Sequence, residues 1–232
     1  MWQPTPMQMS VLPAFYAMRA GGSVLPEDQR VLHPLGARRL IMAHDELLEN
    51  ASDWDSNQPM MTFYSMTRNN EFQYTLVKRN RPKGIPTAVV GGSLHAFGLA
   101  VDINIKDTMR NINEAGIDMS FEDFRQFLAG HGIIGINSEA WHYNLMLQPE
   151  YYEWPGWKLR DHLYKDAWSG LTDELKLLLL QACGAEADDL YTAAVQFQSK
   201  YSESLAVDGQ PGPKTMRAAY TDWAYRNYHL VD

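Results

Sequence analysis

A strand pattern and a pattern of metal-binding side chains coincide in the stretch Ser93-Leu94-His95-Ala96-Phe97-Gly98-Leu99-Ala100-Val101-Asp102. Its second half is apolar and partly β-branched and follows a glycine, which predicts a strand that begins after a turn. A second stretch, Glu139-Ala140-Trp141-His142, adds another imidazole and another carboxylate. Two imidazoles and one carboxylate on one ion leave the fourth tetrahedral position to water, which is typical of a catalytic zinc site. His95, Asp102 and His142 are therefore the candidate metal ligands.

The spacing of these residues sets geometric demands. His95 and Asp102 are seven residues apart, so a strand-turn-strand path would bring them to one ion, with Gly98 permitting the close turn. Glu139 precedes His142 by three residues, and a regular strand would place the two side chains on opposite faces. We therefore expect Glu139 to lie on a turn that bends back toward the metal.

Composition excludes several classes of protein. The chain has 232 residues, 45% of them apolar, a net charge of −8 and a pI near 5.3. A general nucleic-acid-binding protein would usually carry a basic face, and an acidic chain has no electrostatic reason to adhere to anionic lipid. Cys183 is the single cysteine, which excludes an intrachain disulfide and a zinc site built on cysteines. Its apolar neighbours predict a buried, inert thiol.

The beginning of the chain gives no targeting signal. Residues 1–6, Met-Trp-Gln-Pro-Thr-Pro, lack the basic start and the apolar core of a secretory signal peptide. Nowhere does the chain approach the roughly 18 uninterrupted apolar residues of a membrane span. We therefore expect a monomer that is made in the cytoplasm without a signal peptide and has no membrane partner.

The periodicity of apolar residues predicts an α+β domain of about 150 residues. Its first 30 residues read as an irregular arm with one short helix. Helices are predicted at 35–50, 70–78 and 120–129, and strands at 61–66, 87–90, 99–105, 133–136 and 141–147. A tract rich in Tyr and Trp at 151–168 follows, and three further helices at 172–182, 190–201 and 214–225 predict a small bundle. The predicted domains are thus 1–150 and 169–232, joined by the aromatic linker.

The first domain resembles the LAS group of zinc peptidases. This group contains D-alanyl-D-alanine carboxypeptidases and dipeptidases, and the L-alanyl-D-glutamate endopeptidases of phage lysins. Its pattern Ser-x-His-x-x-Gly-x-Ala-x-Asp is met in full by Ser93 to Asp102. Its later Glu-x-x-His is met by Glu139 and His142, with Trp141 in the usual place, whereas Ala140 stands where many relatives have proline.

A third element extends the resemblance to roughly residues 35–147. The family often carries Ser-x-x-Arg followed five residues later by Gln, and Ser65, Arg68 and Gln73 match it. The resemblance implies that Arg68 polarises the scissile carbonyl or holds a substrate carboxylate, as the forked guanidinium suits either group. It also implies that Ser93 and Gln73 contact the substrate.

The resemblance implies a fold with a short, mostly antiparallel sheet and a zinc centre. His95, Asp102 and His142 would bind Zn²⁺, and Glu139 would take a proton from the attacking water and pass it to the leaving amine. Two histidines and one carboxylate suit zinc best, although other divalent ions could occupy such a site.

The second domain resembles the end of a three-helix peptidoglycan-binding domain, over about residues 171–225. The match rests on Val195-Gln196-Phe197-Gln198, on the turn Val207-Asp208-Gly209 and on the helix start Gly212-Pro213-Lys214-Thr215. A generic bundle used for packing or dimerisation is the alternative. The aromatic residues of 151–168 could stack on sugars, but we favour a role in joining the two domains.

Together these features predict a two-domain lysin whose partner is peptidoglycan, the polymer of the bacterial cell wall. The expected reaction is hydrolysis of a stem-peptide amide, with the L-alanyl-D-glutamate bond preferred, by a phage endolysin that reaches the wall after release from the cytoplasm. A lysin carried in the virion is the second setting. D-alanyl-D-alanine carboxypeptidase activity, and a non-catalytic zinc-containing wall-binding or virion protein, are the alternatives.

Overall fold

The computed structural model describes residues 4–231, so the first three residues of the predicted arm lie outside the described part. The fold is α+β, which confirms the expected class. The helices are α1 (Pro34–Glu49), α2 (Asn70–Asn80), α3 (Ile105–Glu114), α4 (Phe121–Gly130), α5 (Gly156–Tyr164), α6 (Asp173–Ala182), α7 (Leu190–Lys200) and α8 (Pro213–Asn227). The strands are β1 (Gln8–Val11), β2 (Val31–Leu32), β3 (Phe63–Ser65), β4 (Ala100–Ile103), β5 (Ile133–Ile136), β6 (Glu139–Leu145) and β7 (His229–Leu230). Among the described residues, no helix combines the length and apolar content needed to cross a membrane.

The chain forms two compact units, and neither is continuous in sequence. One, which we call the sheet unit, comprises Gln8–Thr67, Phe97–Leu159 and the described residues from Leu230 onward. The other, the helical unit, comprises residues 4–7, Arg68–Ala96 and Arg160–His229. The division into continuous domains at 1–150 and 169–232 stays a prediction.

A four-stranded sheet organises the sheet unit. Its strand order is β3-β4-β6-β5, and every neighbouring pair is antiparallel. One face belongs to the hydrophobic core, into which β4 and β6 send alternate residues: Val101, Ile103, Tyr143 and Leu145. Because side chains alternate along a strand, Asp102 and the residues on either side of Tyr143 lie on the opposite face.

Helices α1 and α4 supply much of the rest of this core and begin and end close to their predicted positions. Leu40 of α1 and Phe124 and Leu128 of α4 are fully buried in the same cluster as the sheet residues. At the start of α4, Ser120 and Asp123 exchange hydrogen bonds between side chain and backbone in a capping box. This reciprocal pairing satisfies two backbone donors that the first helical turn would otherwise leave open, so a local signal sufficed to place the helix.

Two segments of the sheet unit differ from the prediction. The predicted strand at 99–105 ends at Ile103, because the side chain of Asn104 accepts a hydrogen bond from the backbone N–H of Asp107 and so caps α3, a helix that the apolar pattern did not predict. The predicted irregular arm contains β1, which pairs with β2 in antiparallel register, and two short 3₁₀ turns instead of one helix.

No strand forms at 87–90 in the helical unit, so that prediction was wrong. The backbone groups of this segment find side-chain partners: the amide of Gln73 donates to the carbonyl of Ala88 at 2.6 Å, and Ser204 Oγ accepts from the N–H of Val90 at 2.7 Å. β-Branched residues favour a strand only where a neighbouring strand can pair with them. Here side chains take the place of that neighbour.

Helices α6, α7 and α8 pack against one another in the helical unit, and α2 packs against α8. Thr172 caps α6 as predicted, since its side chain accepts a hydrogen bond from the N–H of Leu175. The predicted burial of Cys183 is confirmed, and that burial raises the pKa of the thiol to about 12. A thiol that stays protonated at neutral pH is a poor nucleophile.

Gln198 of α7 joins residues from the three C-terminal sequence patterns through hydrogen bonds. Its buried amide nitrogen lies 3.0 Å from Asp208 Oδ1, the Gln210 carbonyl and Thr215 Oγ1. Its Oε1 accepts from the N–H groups of Asp208 and Gly209. The motif residues therefore hold the turn between α7 and α8, which is a structural role for their spacing.

Candidate metal centre

The ladder between β4 and β6 positions two of the three candidate ligands. Asp102 and His142 are direct cross-strand partners, so their side chains share one face of the sheet. Asp102 Oδ1 lies 3.0 Å from His142 Nδ1. Ser65 of β3 is the partner of Asp102 on its other side, so three strands contribute one row of polar residues.

A short 3₁₀ turn, Leu94–Phe97, carries the third candidate ligand, His95. We expected a strand before the turn, but no strand forms there, and His95 lies in the turn itself. Ser93 Oγ accepts a hydrogen bond from the N–H of His95 at 3.3 Å, and the His95 carbonyl accepts from the N–H of Arg68 at 3.2 Å. Two residues predicted to contact substrate therefore support the backbone that carries a ligand.

Gly98 makes the passage from this turn into β4 possible. Its φ is +62°, and a Cβ there would lie 2.5 Å from Met9 Cε and 3.0 Å from Leu32 Cα. The Gly98 carbonyl accepts a hydrogen bond from the N–H of His33 at 3.0 Å. Any other residue would meet both backbone strain and a steric clash, so the glycine of the sequence pattern is required by the local packing.

The three candidate ligands come together. One nitrogen of His95, one carboxylate oxygen of Asp102 and one nitrogen of His142 all lie within 4.8 Å of one another, so the group could hold a metal ion. Metal–ligand bonds of about 2.0–2.2 Å place neighbouring ligand atoms of a tetrahedral zinc ion about 3.3–3.5 Å apart. The ligand atoms, which lie within 4.8 Å of one another, would draw closer around such an ion, and the donor set of two imidazoles and one carboxylate fits zinc.

Asn144 is a neighbour of this centre that the sequence patterns did not reveal. Its Oδ1 lies 3.0 Å from His142 Nε2, the ring nitrogen opposite the one that faces Asp102. Asn144 follows His142 by two residues in a regular part of β6, where alternation places both on the same face. That alternation was the available signal, and it could be used only once the limits of the strand were known.

Glu139, the predicted general base, is the first residue of β6 and is partly buried. We expected Glu139 to lie on a turn, but it directly follows the turn at 137–138. The pairing of β5 with β6 shifts next to it: Gly135 pairs with Tyr143, whereas Ile136 pairs with Glu139. The extra residues of β6 form a bulge, so strict alternation does not hold between Glu139 and His142. The three-residue spacing therefore does not by itself place the two side chains on opposite faces, and the role of Glu139 as general base stays a prediction.

The remaining candidates have defined surroundings. Arg68 is partly buried, and its role toward a substrate stays a prediction. Gln73 is 2% exposed, its amide donates to Ala88, and its Oε1 has no hydrogen-bond partner among the described residues. Ser93 is buried and directly precedes the turn that carries His95. The substrate-contacting roles of Gln73 and Ser93 also stay predictions.

Comparisons with known proteins assign no family, so the interpretation of the site rests on the residues described above. The resemblance to zinc peptidases stays a prediction that rests on three short sequence patterns, which contain the three residues that could hold a metal ion. The resemblance of the C-terminal helices to a peptidoglycan-binding domain also stays a prediction, and it rests on three more patterns whose residues Gln198 joins. No protein-family model matches the chain, and no curated protein matches it.

Proposed function

We propose that the protein is a zinc-dependent peptidase that hydrolyses a stem-peptide amide of peptidoglycan, with the L-alanyl-D-glutamate bond preferred. The observation that carries the proposal is the group formed by His95, Asp102 and His142, whose ligand atoms lie within 4.8 Å of one another. A set of three protein ligands leaves one tetrahedral position for water, whereas structural zinc sites are closed by four.

The chain's own residues divide the chemical work. A zinc ion held by the three ligands would polarise the scissile carbonyl and make water acidic enough to attack at neutral pH. Glu139 accepts the proton of the attacking water and returns it to the leaving amine. Arg68 donates hydrogen bonds to the carbonyl oxygen as negative charge develops there, or to a substrate carboxylate. The acid–base role of Glu139 distinguishes an enzyme from a protein that only binds metal.

The packed helices α6, α7 and α8 support a second element of the proposal, attachment to the wall. A module that binds a polymer keeps the catalytic centre at a high local concentration of its substrate. Cutting each stem between L-alanine and D-glutamate opens the wall mesh, whereas trimming terminal residues leaves it closed. We therefore favour the endopeptidase over the carboxypeptidase, with a phage endolysin as the biological setting.

Digestion of purified peptidoglycan tests the proposal. The full chain is loaded with one equivalent of zinc, stripped with a chelator and reloaded, and the products of each form are analysed by mass spectrometry. We expect released peptides with a new amino terminus on D-glutamate, lost on chelation and restored by zinc. Loss of one terminal D-alanine would instead identify a carboxypeptidase. An unchanged wall in the presence of bound zinc would overturn the enzymatic proposal and favour a wall-binding or virion protein.

A further inference from the structure

The environment of Asn144 carries an inference about which nitrogen of His142 meets the metal. Asn144 is 6% exposed and lies on the same face of β6 as His142. Its cross-strand partner on β4 is the small residue Ala100, which leaves the amide room to lie beside the imidazole. Asn144 Oδ1 is 3.0 Å from His142 Nε2.

The two ring nitrogens of His142 therefore have different partners. A carbonyl oxygen of a side-chain amide only accepts hydrogen bonds, so the Nε2 that faces Asn144 carries the proton. A neutral imidazole has one N–H, which leaves a lone pair on Nδ1. That lone pair faces Asp102 Oδ1, another electron-pair donor, at 3.0 Å. Two such donors at this distance are compatible when a positive charge lies next to both. A bound divalent ion supplies that charge, and in its absence a second proton on the imidazole supplies it.

We propose that Asn144 is a positioning residue that holds His142 in the tautomer protonated at Nε2 and so presents Nδ1 to the metal. The proposal rests on the metal site of the proposed function, but it does not depend on the peptidase reaction. A group that hydrogen-bonds the distal nitrogen of a histidine ligand fixes the orientation of the ring and raises the basicity of the ligating nitrogen. Loss of such a group typically weakens metal affinity by about 10–100-fold.

The first test is a zinc titration of the full chain against a chromophoric chelator. Asn144→Leu removes the acceptor at similar volume and should raise the zinc Kd by about 10–100-fold. Asn144→Asp restores a stronger acceptor and should keep the Kd at or below the wild-type value. Asn111 is the matched control, since it is also buried in the sheet unit and its amide donates to the carbonyls of Pro59 and Met60. Asn111→Leu should lower stability and leave the Kd unchanged.

The second test reads the ring directly. In wild-type protein with ¹⁵N-labelled histidine, long-range ¹H–¹⁵N spectra should show Nδ1 of His142 shifted by zinc and Nε2 still protonated. Zinc bound through Nε2, or equal zinc affinities for the wild type and Asn144→Leu, would overturn the role of Asn144 alone. A wild-type chain that binds no zinc would overturn the metal site together with it. Because the spectra use wild-type protein, a variant that fails to fold does not remove the test.

Discussion

Oδ1 of Asp102 lies 3.0 Å from Nδ1 of His142, and these residues are also direct partners in the ladder between β4 and β6. Backbone pairing therefore fixes the distance between two candidate ligands that are 40 positions apart in sequence. Because the register of a sheet is fixed by its buried face, a slip that separated the two would also expose Val101 and Tyr143. The stability of the core thus maintains the geometry of this pair.

Asp102→Asn tests this pair. The amide keeps the shape of the side chain but removes the negative charge that a divalent ion requires, so we expect zinc affinity to fall by more than about 100-fold. The melting temperature without metal should not fall, because the amide nitrogen of the variant can donate a hydrogen bond to the lone pair on His142 Nδ1. Chelator competition measures the affinity, and an unchanged value would exclude Asp102 as a ligand.

Glu139→Gln separates chemistry from metal binding. We expect the variant to retain zinc and to lose wall hydrolysis by about 100-fold or more, the usual contribution of a general base. His95→Ala should lose both zinc and activity, because it removes a ligand. Glu49→Gln, a change of the same type at the exposed end of α1, is the control and should behave as wild type. Full activity in Glu139→Gln would require a different base.

Local signals predicted much of the secondary structure. Helix α4 has its capping box within four residues of sequence, and α8 begins at Pro213, a residue favoured in the first helical turn. Strand β5 occupies the predicted residues 133–136. These elements depend on neighbours along the chain, which the sequence displays directly.

Several features that depend on distant partners were not predicted. The segment 87–90 has a strand composition, but Gln73 and Ser204 satisfy its backbone groups. The bulge beside Glu139 and the contact of Asn144 with His142 both follow from the pairing of β6 with its neighbours. Pairing register is a tertiary property, and no pattern within a single strand specifies it.

Gly98→Ala tests the connection between the His95 turn and β4. Alanine would have to adopt the left-handed backbone conformation of this position, and its methyl group would overlap Met9. We therefore expect a loss of about 3 kcal/mol in the free energy of unfolding. Gly21→Ala is the matched control, because Gly21 also has a positive φ but a Cβ there meets nothing within 4 Å. It should lose only about 1 kcal/mol. Equal losses in urea denaturation would contradict the packing argument.

Gln198→Leu tests the network between α7 and α8. The substitution leaves the N–H groups of Asp208 and Gly209 without their acceptor. The Gly209 donor is buried, and an unsatisfied buried donor costs about 1–3 kcal/mol, whereas Asp208 is exposed and its donor costs less. We expect a total loss of about 3 kcal/mol by denaturant unfolding. Gln196→Leu on the same helix is the control, since Gln196 is exposed and accepts one hydrogen bond, from Glu186. A similar cost for both variants would mean that the Gln198 network contributes little.

His44 makes stability depend on pH. It is 1% exposed, its Nε2 accepts a hydrogen bond from the N–H of Met60 at 2.9 Å, and the rings of Phe15 and Tyr16 pack on it edge to face. Burial lowers the pKa of His44 to about 4, against an opposing effect of the neighbouring Asp45 carboxylate. The folded state therefore prefers the neutral imidazole more strongly than the unfolded state does.

The sign of the effect follows from the two pKa values of His44. Its contribution to the free energy of unfolding is complete above the ordinary histidine pKa of about 6.5 and is lost as the pH falls toward 4. The loss is about 2 kcal/mol at pH 5. His44→Gln can still accept from Met60 but cannot be protonated. We expect the difference in unfolding free energy between wild type and variant to shrink by that amount from pH 7 to pH 5. Urea denaturation at both pH values measures it, and a difference that stayed constant would show that His44 does not titrate with folding.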